Sequence, residues 1–216
     1  MATLGPGAGL IAKAGVIGAI LMIMAGAAFW WGESRTDYQT GVGWMLDQPV
    51  PFSHEHHVAG LGIDCRFCHS SVEQSAAAGL PPTYSCMTCH SQVWTKAAML
   101  APVRDSLAEN RAIRWNRVND LPDYVYFNHA IHVAKGVGCA SCHGELDRMP
   151  LTAKAHAFTM RFCLDCHRDP GPELRPRAAL FDLHWQRGDG TPTPRQLPDF
   201  YHLGGRRLTD CTICHR

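Results

Sequence analysis

Residues 127–167 read FNHAIHVAKGVGCASCHGELDRMPLTAKAHAFTMRFCLDCH, and the fold of the whole chain turns on this stretch. It holds two CxxCH motifs and, just upstream, an F-x-H-x-x-H segment. In a CxxCH segment the two thiols form thioether bonds to one haem, and the adjacent histidine then faces the iron. The upstream His129 and His132 have no cysteine beside them, which suits them to reach across space and close a sixth iron position. A shorter copy runs from Phe52 to His90, as FSHEHHVAGLGIDCRFCH followed by CMTCH.

Working outward, all ten cysteines fall in five such motifs. They are Cys65 and Cys68 with His69, Cys86 and Cys89 with His90, Cys139 and Cys142 with His143, Cys163 and Cys166 with His167, and Cys211 and Cys214 with His215. No cysteine is left over for a disulfide. A zinc ribbon or a thioredoxin-like pair uses CxxC but does not require the following histidine, and 13 histidines in 216 residues would not fall there five times by chance. A net charge of +1 with 18% charged residues gives no footprint for nucleic acid.

Five haems change the folding argument. Beyond the N-terminal segment roughly 37 residues remain per haem, too few to build an ordinary apolar core around each. The expected fold is therefore that of a multihaem cytochrome c: loop-rich, with short α-helices at the motifs, little or no sheet, and one N-terminal transmembrane helix. Order should depend on the cofactor, as in metal-coupled folding.

Ala14 to Trp31, AGVIGAILMIMAGAAFWW, is uncharged and long enough to span a bilayer. Ala25-Gly26-Ala27 resembles an export cleavage site, but Trp30 and Trp31 sit where an interfacial aromatic belt would lie and favour a retained anchor. Because c-type haem is attached on the outer side of the energy-conserving membrane, the expected placement is single-pass in the inner (cytoplasmic) membrane with the haem domain on the periplasmic side.

The expected divisions are an anchor over 1–35, a first dihaem unit with helical linker over 36–120, a second dihaem unit over 121–170, and a Pro-rich excursion with a monohaem half-unit over 171–216. Aligning Phe52 with Phe127 places His54 on His129 and His57 on His132, with one extra residue before Cys65. This reads as an internal duplication. Between the units, Val93, Trp94, Ala97 and Ala98 suggest a short helix, and Pro102 a restart with Val103 and Leu107 on one face. The proline-rich stretch from Arg168 should run extended over the surface, and Phe200-Tyr201-His202 echoes the F-x-H start.

A ligand count follows. The proximal set is His69, His90, His143, His167 and His215; the distal set is His54, His57, His129, His132 and, from the half-unit, His202. Met160, three residues before Cys163, is the main rival for the fifth distal place, followed by His184 and His156. His56 is spare.

The order FSHEHHV, CRFCH, AAGLPPTYSCMTCH, then LPDYVYFNHAIHV, CASCH, TMRFCLDCHR and CTICHR resembles the pentahaem cytochrome c subunit of alternative complex III, over nearly the whole chain. That resemblance implies five covalent haems c and a membrane-bound quinol:electron acceptor oxidoreductase. The implied partners are an iron–sulfur, molybdoenzyme-like subunit, multi-span quinol-binding membrane subunits and a monohaem cytochrome c. Electrons from quinol oxidation would leave to a periplasmic carrier or a terminal oxidase, with no substrate-converting site on this subunit. In such relatives a methionine commonly stands at the position of Met160. The alternatives are a stand-alone membrane-anchored multihaem quinol dehydrogenase feeding periplasmic reductases and a self-sufficient haem enzyme, which needs one iron left open.

Overall fold

The computed structural model describes residues 6–188, 190–203 and 207–215, so the first five residues of the expected anchor and the terminal Arg216 lie outside the described residues. The chain divides into two units, Met1–Val42 and Gly43–Arg216.

In the first unit the apolar run forms helix α1 (Pro6–Glu33), longer at its N-terminal end than the uncharged stretch alone suggests. At about 1.5 Å per residue it exceeds the roughly 30 Å of a bilayer core, and it is long and apolar enough to cross one. Its end is marked chemically: the Arg35 guanidinium sits 3.5 Å from the Trp31 ring centre and donates to the Trp31 carbonyl at 2.8 Å. Beyond it the chain forms the short helix α2 (Asp37–Thr40), which stops where Gly41 turns to φ 70°.

The second unit is helical and loop-rich. Among the described residues, β-pairing takes the form of isolated bridges, Met45–Ala153 and Val137–Leu174 among them. A short helix stands at every CxxCH: α3 (Cys65–Cys68), α4 (Thr83–His90), α7 (Ala140–His143), α8 (Met160–Arg168) and α10 (Cys211–Cys214). Between α4 and α7 lie α5 (Ala101–Ala108) and α6 (His129–Ala134), and before α10 lies α9 (Leu197–Phe200). Local caps start several of them, because a side-chain oxygen there satisfies a backbone N–H that the helix cannot. Asp64 accepts from Arg66 N–H, Asn128 from Ile131 N–H and Thr159 from Phe162 N–H.

The two copies of the repeat differ in one way. Where the second has α6, the first has a wider π-type turn, Glu55–Gly60. A π-turn absorbs one extra residue without disturbing the flanking chain, and the first copy has one extra residue before its cysteine.

Two expectations are corrected. No helix forms over Val93–Ala98: Trp94 takes a left-handed φ of 53°, and regular structure resumes only with a 3-10 turn at Ala98–Leu100 and then α5, with Pro102 in its first turn. On α5 Val103 is buried but Leu107 is exposed. The Pro-rich segment is no extended surface excursion either, since Leu174, Ala179, Leu180, Leu197 and Tyr201 make up half of the ten buried apolar side chains among the described residues. Prolines remove backbone donors and arginines supply substitutes: Arg187 donates to the Leu174 and Pro192 carbonyls, while the Tyr201 hydroxyl donates to Arg175 O at 2.6 Å.

The apolar core is broken into three small clusters, around Val103, Val133 and Leu174.

Candidate haem-binding site

The motif helices carry the cysteines at i and i+3 and the histidine at i+4, which one helical turn places on one face. The turn is closed by His69 N–H to Cys65 O at 2.8 Å, His143 N–H to Cys139 O at 2.9 Å and His215 N–H to Cys211 O at 2.8 Å. All ten cysteines are free thiols.

Each motif histidine, and each histidine of the two F-x-H-x-x-H segments, has a partner for Nδ1. Among the proximal set, Nδ1 of His69 meets Gly79 O at 2.7 Å, His90 meets Val93 O at 3.4 Å, His167 meets Leu208 O at 2.7 Å and His215 meets Tyr124 O at 3.1 Å. In the distal set, His57 meets Ser53 O at 2.8 Å, His129 meets Ala76 O at 2.8 Å, His132 meets Asn128 O at 2.7 Å and His54 meets Thr152 Oγ1 at 3.0 Å. An Nδ1–H donated to an acceptor leaves Nε2 as a lone pair, the tautomer a metal ligand needs.

His143 is the special case, with Asn119 Nδ2 at 3.1 Å from its Nδ1. The Asn119 Oδ1 is buried and has no partner. A half-turn of the amide, which leaves its shape unchanged, lets Oδ1 accept the His143 Nδ1–H, giving the tautomer that carbonyl acceptors impose on seven of the other eight and that the Thr152 hydroxyl allows at His54.

The rings then face each other in pairs. His57 and His90 have centroids 6.2 Å apart, His129 and His143 6.4 Å, and His132 and His167 6.1 Å. Two imidazoles on opposite sides of one metal, each with a bond of about 2 Å and its ring centre about 1.1 Å behind the nitrogen, have centroids about 6.3 Å apart. The spacing fits bis-histidine iron. His69 is also close enough to His54 that it adds to the lowering of the His54 pKa.

Both repeats aim their distal pair in the same way. The Phe52 ring lies edge-on to His54 at 5.0 Å and stacks on His57 at 4.4 Å; Phe127 lies edge-on to His129 at 4.7 Å and stacks on His132 at 4.4 Å. The phenylalanine that opens each F-x-H-x-x-H is thus the wedge that orients both histidines.

Burial lowers the His54 pKa to about 4, with the charges of His69 and His57 adding to it, and burial followed by His129 lowers that of His143 to about 4. His57 and His132 are lowered too, again chiefly by burial. These rings are neutral at neutral pH, with a lone pair to give. Burial also raises the thiols, Cys139 to about 11 and Cys142 to about 12.

The fifth motif is built differently. The aromatic ring beside His215 is that of Tyr124, 5.8 Å away. His202 is exposed and stands at φ 54°, in the left-handed region, whereas His54 is in the right-handed helical region, so the third F-x-H does not repeat the backbone of the first two. Met160 begins α8 and is mostly exposed. His184 has both ring nitrogens near carboxylates, Nε2 at 2.6 Å from Asp147 and Nδ1 at 3.4 Å from Glu145. His156 stacks on Phe162 at 5.0 Å, and His56 on Trp94 at 5.9 Å.

Sequence reasoning missed Asn119, Thr152 and Phe158, the last of which lies edge-on to His143 at 6.3 Å. No motif marks them; they come from loops distant in sequence.

No family model matches the chain. Over 133 residues it is 34% identical to a protein named menaquinone reductase, multiheme cytochrome c subunit, from Nitratidesulfovibrio vulgaris (strain Hildenborough). The match covers 61% of this chain and 59% of that protein, so the chain spans less than two thirds of its relative.

Proposed function

We propose that this chain is a membrane-anchored pentahaem c-type cytochrome that carries electrons within a quinone-linked oxidoreductase. The observation that carries the reading is the set of opposed histidine rings at 6.1–6.4 Å, each pair joining a CxxCH histidine to one from an F-x-H-x-x-H segment. The similarity to a multihaem cytochrome subunit of a menaquinone reductase supports it independently.

In this reading Cys65 and Cys68, Cys86 and Cys89, Cys139 and Cys142, Cys163 and Cys166, and Cys211 and Cys214 bind five haems c covalently. His69 pairs with His54, His90 with His57, His143 with His129 and His167 with His132. His215 takes its distal partner from His202 or Met160. Bound haem iron supplies reversible one-electron redox chemistry. The chain's own residues fix which atoms face the iron, hold each imidazole in one tautomer and exclude water from the central pairs. With histidine on both sides the sites are closed to exogenous ligands, which suits electron transfer rather than substrate conversion.

The finer assignment is to the pentahaem subunit of alternative complex III, held by α1 in the cytoplasmic membrane with the second unit on the periplasmic side. There it would receive electrons from an iron–sulfur, molybdoenzyme-like subunit beside multi-span quinol-binding subunits and pass them to a monohaem cytochrome c, a periplasmic carrier or a terminal oxidase. The relative's name favours a second reading, in which the same chain delivers electrons towards menaquinone.

The test is a native gel of the detergent-solubilised complex, stained for haem, with its partners identified by mass and quinol oxidation and quinone reduction both assayed. An alternative complex III predicts a molybdoenzyme-like partner and quinol oxidation by the complex but not by the isolated chain. Net quinone reduction selects the second reading. Strong carbon monoxide binding by most of the reduced haems would sink both.

A further inference from the structure

From the contacts between the sites we infer that the five attachment motifs stand in space in the order second, first, third, fourth, fifth, so that the second (Cys86–His90) and the fifth (Cys211–His215) are the two ends at which electrons enter and leave. The inference rests on the pentahaem reading above. It differs from the order along the sequence, in which the first motif would be an end.

Each link has its own contact. Second and first share the Phe52 ring, which stacks on His57, opposite His90, and meets His54, partner of His69. First and third share the loop after α3: Gly79 O faces His69 and Ala76 O faces His129. They are bridged again by neighbouring residues, as the Arg66 guanidinium lies 4.4 Å over the Phe181 ring and Leu180 O accepts from Cys139 N–H at 3.3 Å. Third and fourth share Phe127, between His129 and His132, and Phe158, which touches both His143 and Phe162 of α8. Fourth and fifth are tied by the 2.7 Å bond between His167 Nδ1 and Leu208 O, three residues before Cys211.

Exposure agrees with this order. Of the ten cysteines the exposed ones are Cys89 and Cys211, one from each end.

The order predicts how many neighbours each site has: one for an end, two for an interior site. The experiment uses the full-length haem-loaded chain in detergent, read by electron paramagnetic resonance of its oxidised low-spin haems. His57→Met alters the second site and should perturb one other haem signal; His129→Met alters the third and should perturb two. A second measurement needs no variant: a water-soluble dysprosium chelate added to the unsubstituted protein should speed the relaxation of two signals most and one least. Fewer than five haems in the unsubstituted chain overturns the pentahaem reading. Five haems with equal neighbour counts for the two variants, or with uniform relaxation, overturn the order alone.

Discussion

A histidine that gives one ring nitrogen to a metal is tuned through the other, and at His143 that other nitrogen faces a side chain instead of the backbone carbonyl found at the remaining proximal histidines. A carbonyl is fixed by the chain; an amide can be removed without moving the backbone. Asn119→Ala should leave the haem count unchanged and make the His143 imidazole a weaker electron donor. One reduction midpoint should rise by up to about 59 mV, a tenfold change for one electron, in a spectroelectrochemical titration. An unchanged set of midpoints would remove Asn119 from the tuning shell. The same buried rings set the response to acid. With a folded value near 4 against an ordinary 6.5 for His54 and His143, the unfolded chain binds more protons between these limits. Their contribution is therefore complete above 6.5 and is lost as the pH falls towards 4. In the haem-loaded protein the proton must also compete with iron for the ring nitrogen, so an acid titration of the low-spin Soret band should have its midpoint at or below about 4; a midpoint above 6.5 would contradict the burial assigned to these rings.

At the scale of elements, the proline-rich segment from Gly171 to Tyr201 is held by a few side chains. Leu174 and Leu197 are almost wholly buried, and either one changed to alanine should cost about 2–5 kcal/mol, the range for emptying a buried leucine site, in urea unfolding of the haem-loaded protein. Gly136 is the matching backbone position: it holds φ 88° and the Tyr201 ring occupies the space a Cβ would need. Gly136→Ala should loosen the same segment, and a midpoint equal to that of the unsubstituted protein would show the segment to be dispensable. How much of this was legible varies from element to element. The motif helices and the duplication could be read directly, because CxxCH and F-x-H-x-x-H are local patterns. The π-turn could be read only as a surplus residue. The burial of the proline-rich segment could not be read, since it depends on arginines reaching carbonyls many residues away, and Trp94 broke an expected helix by a backbone turn that no periodicity announces.

For the whole molecule, ten buried apolar side chains among the described residues, nine of them in three separate clusters, are too few to offset the ordering entropy of so long a loop-rich unit. The remaining contacts converge on the places where haems are proposed. A haem-free preparation of residues 43–216 should give little near-ultraviolet circular dichroism and no cooperative thermal transition, whereas the haem-loaded form should show both. A cooperative apo-protein would mean that the three clusters suffice. By itself the sequence determined the number of CxxCH motifs, the histidines proposed as proximal ligands, the two doublets proposed as distal ones and the apolar helix, because each is a matter of residue type and short spacing. The tertiary structure alone decided which distal ring faces which motif, that Asn119 stands behind His143, and that the first motif lies inside the row of sites. The physical reason is that those relations are made by loops tens of residues apart closing on shared rings and carbonyls, and no local spacing encodes which loops meet.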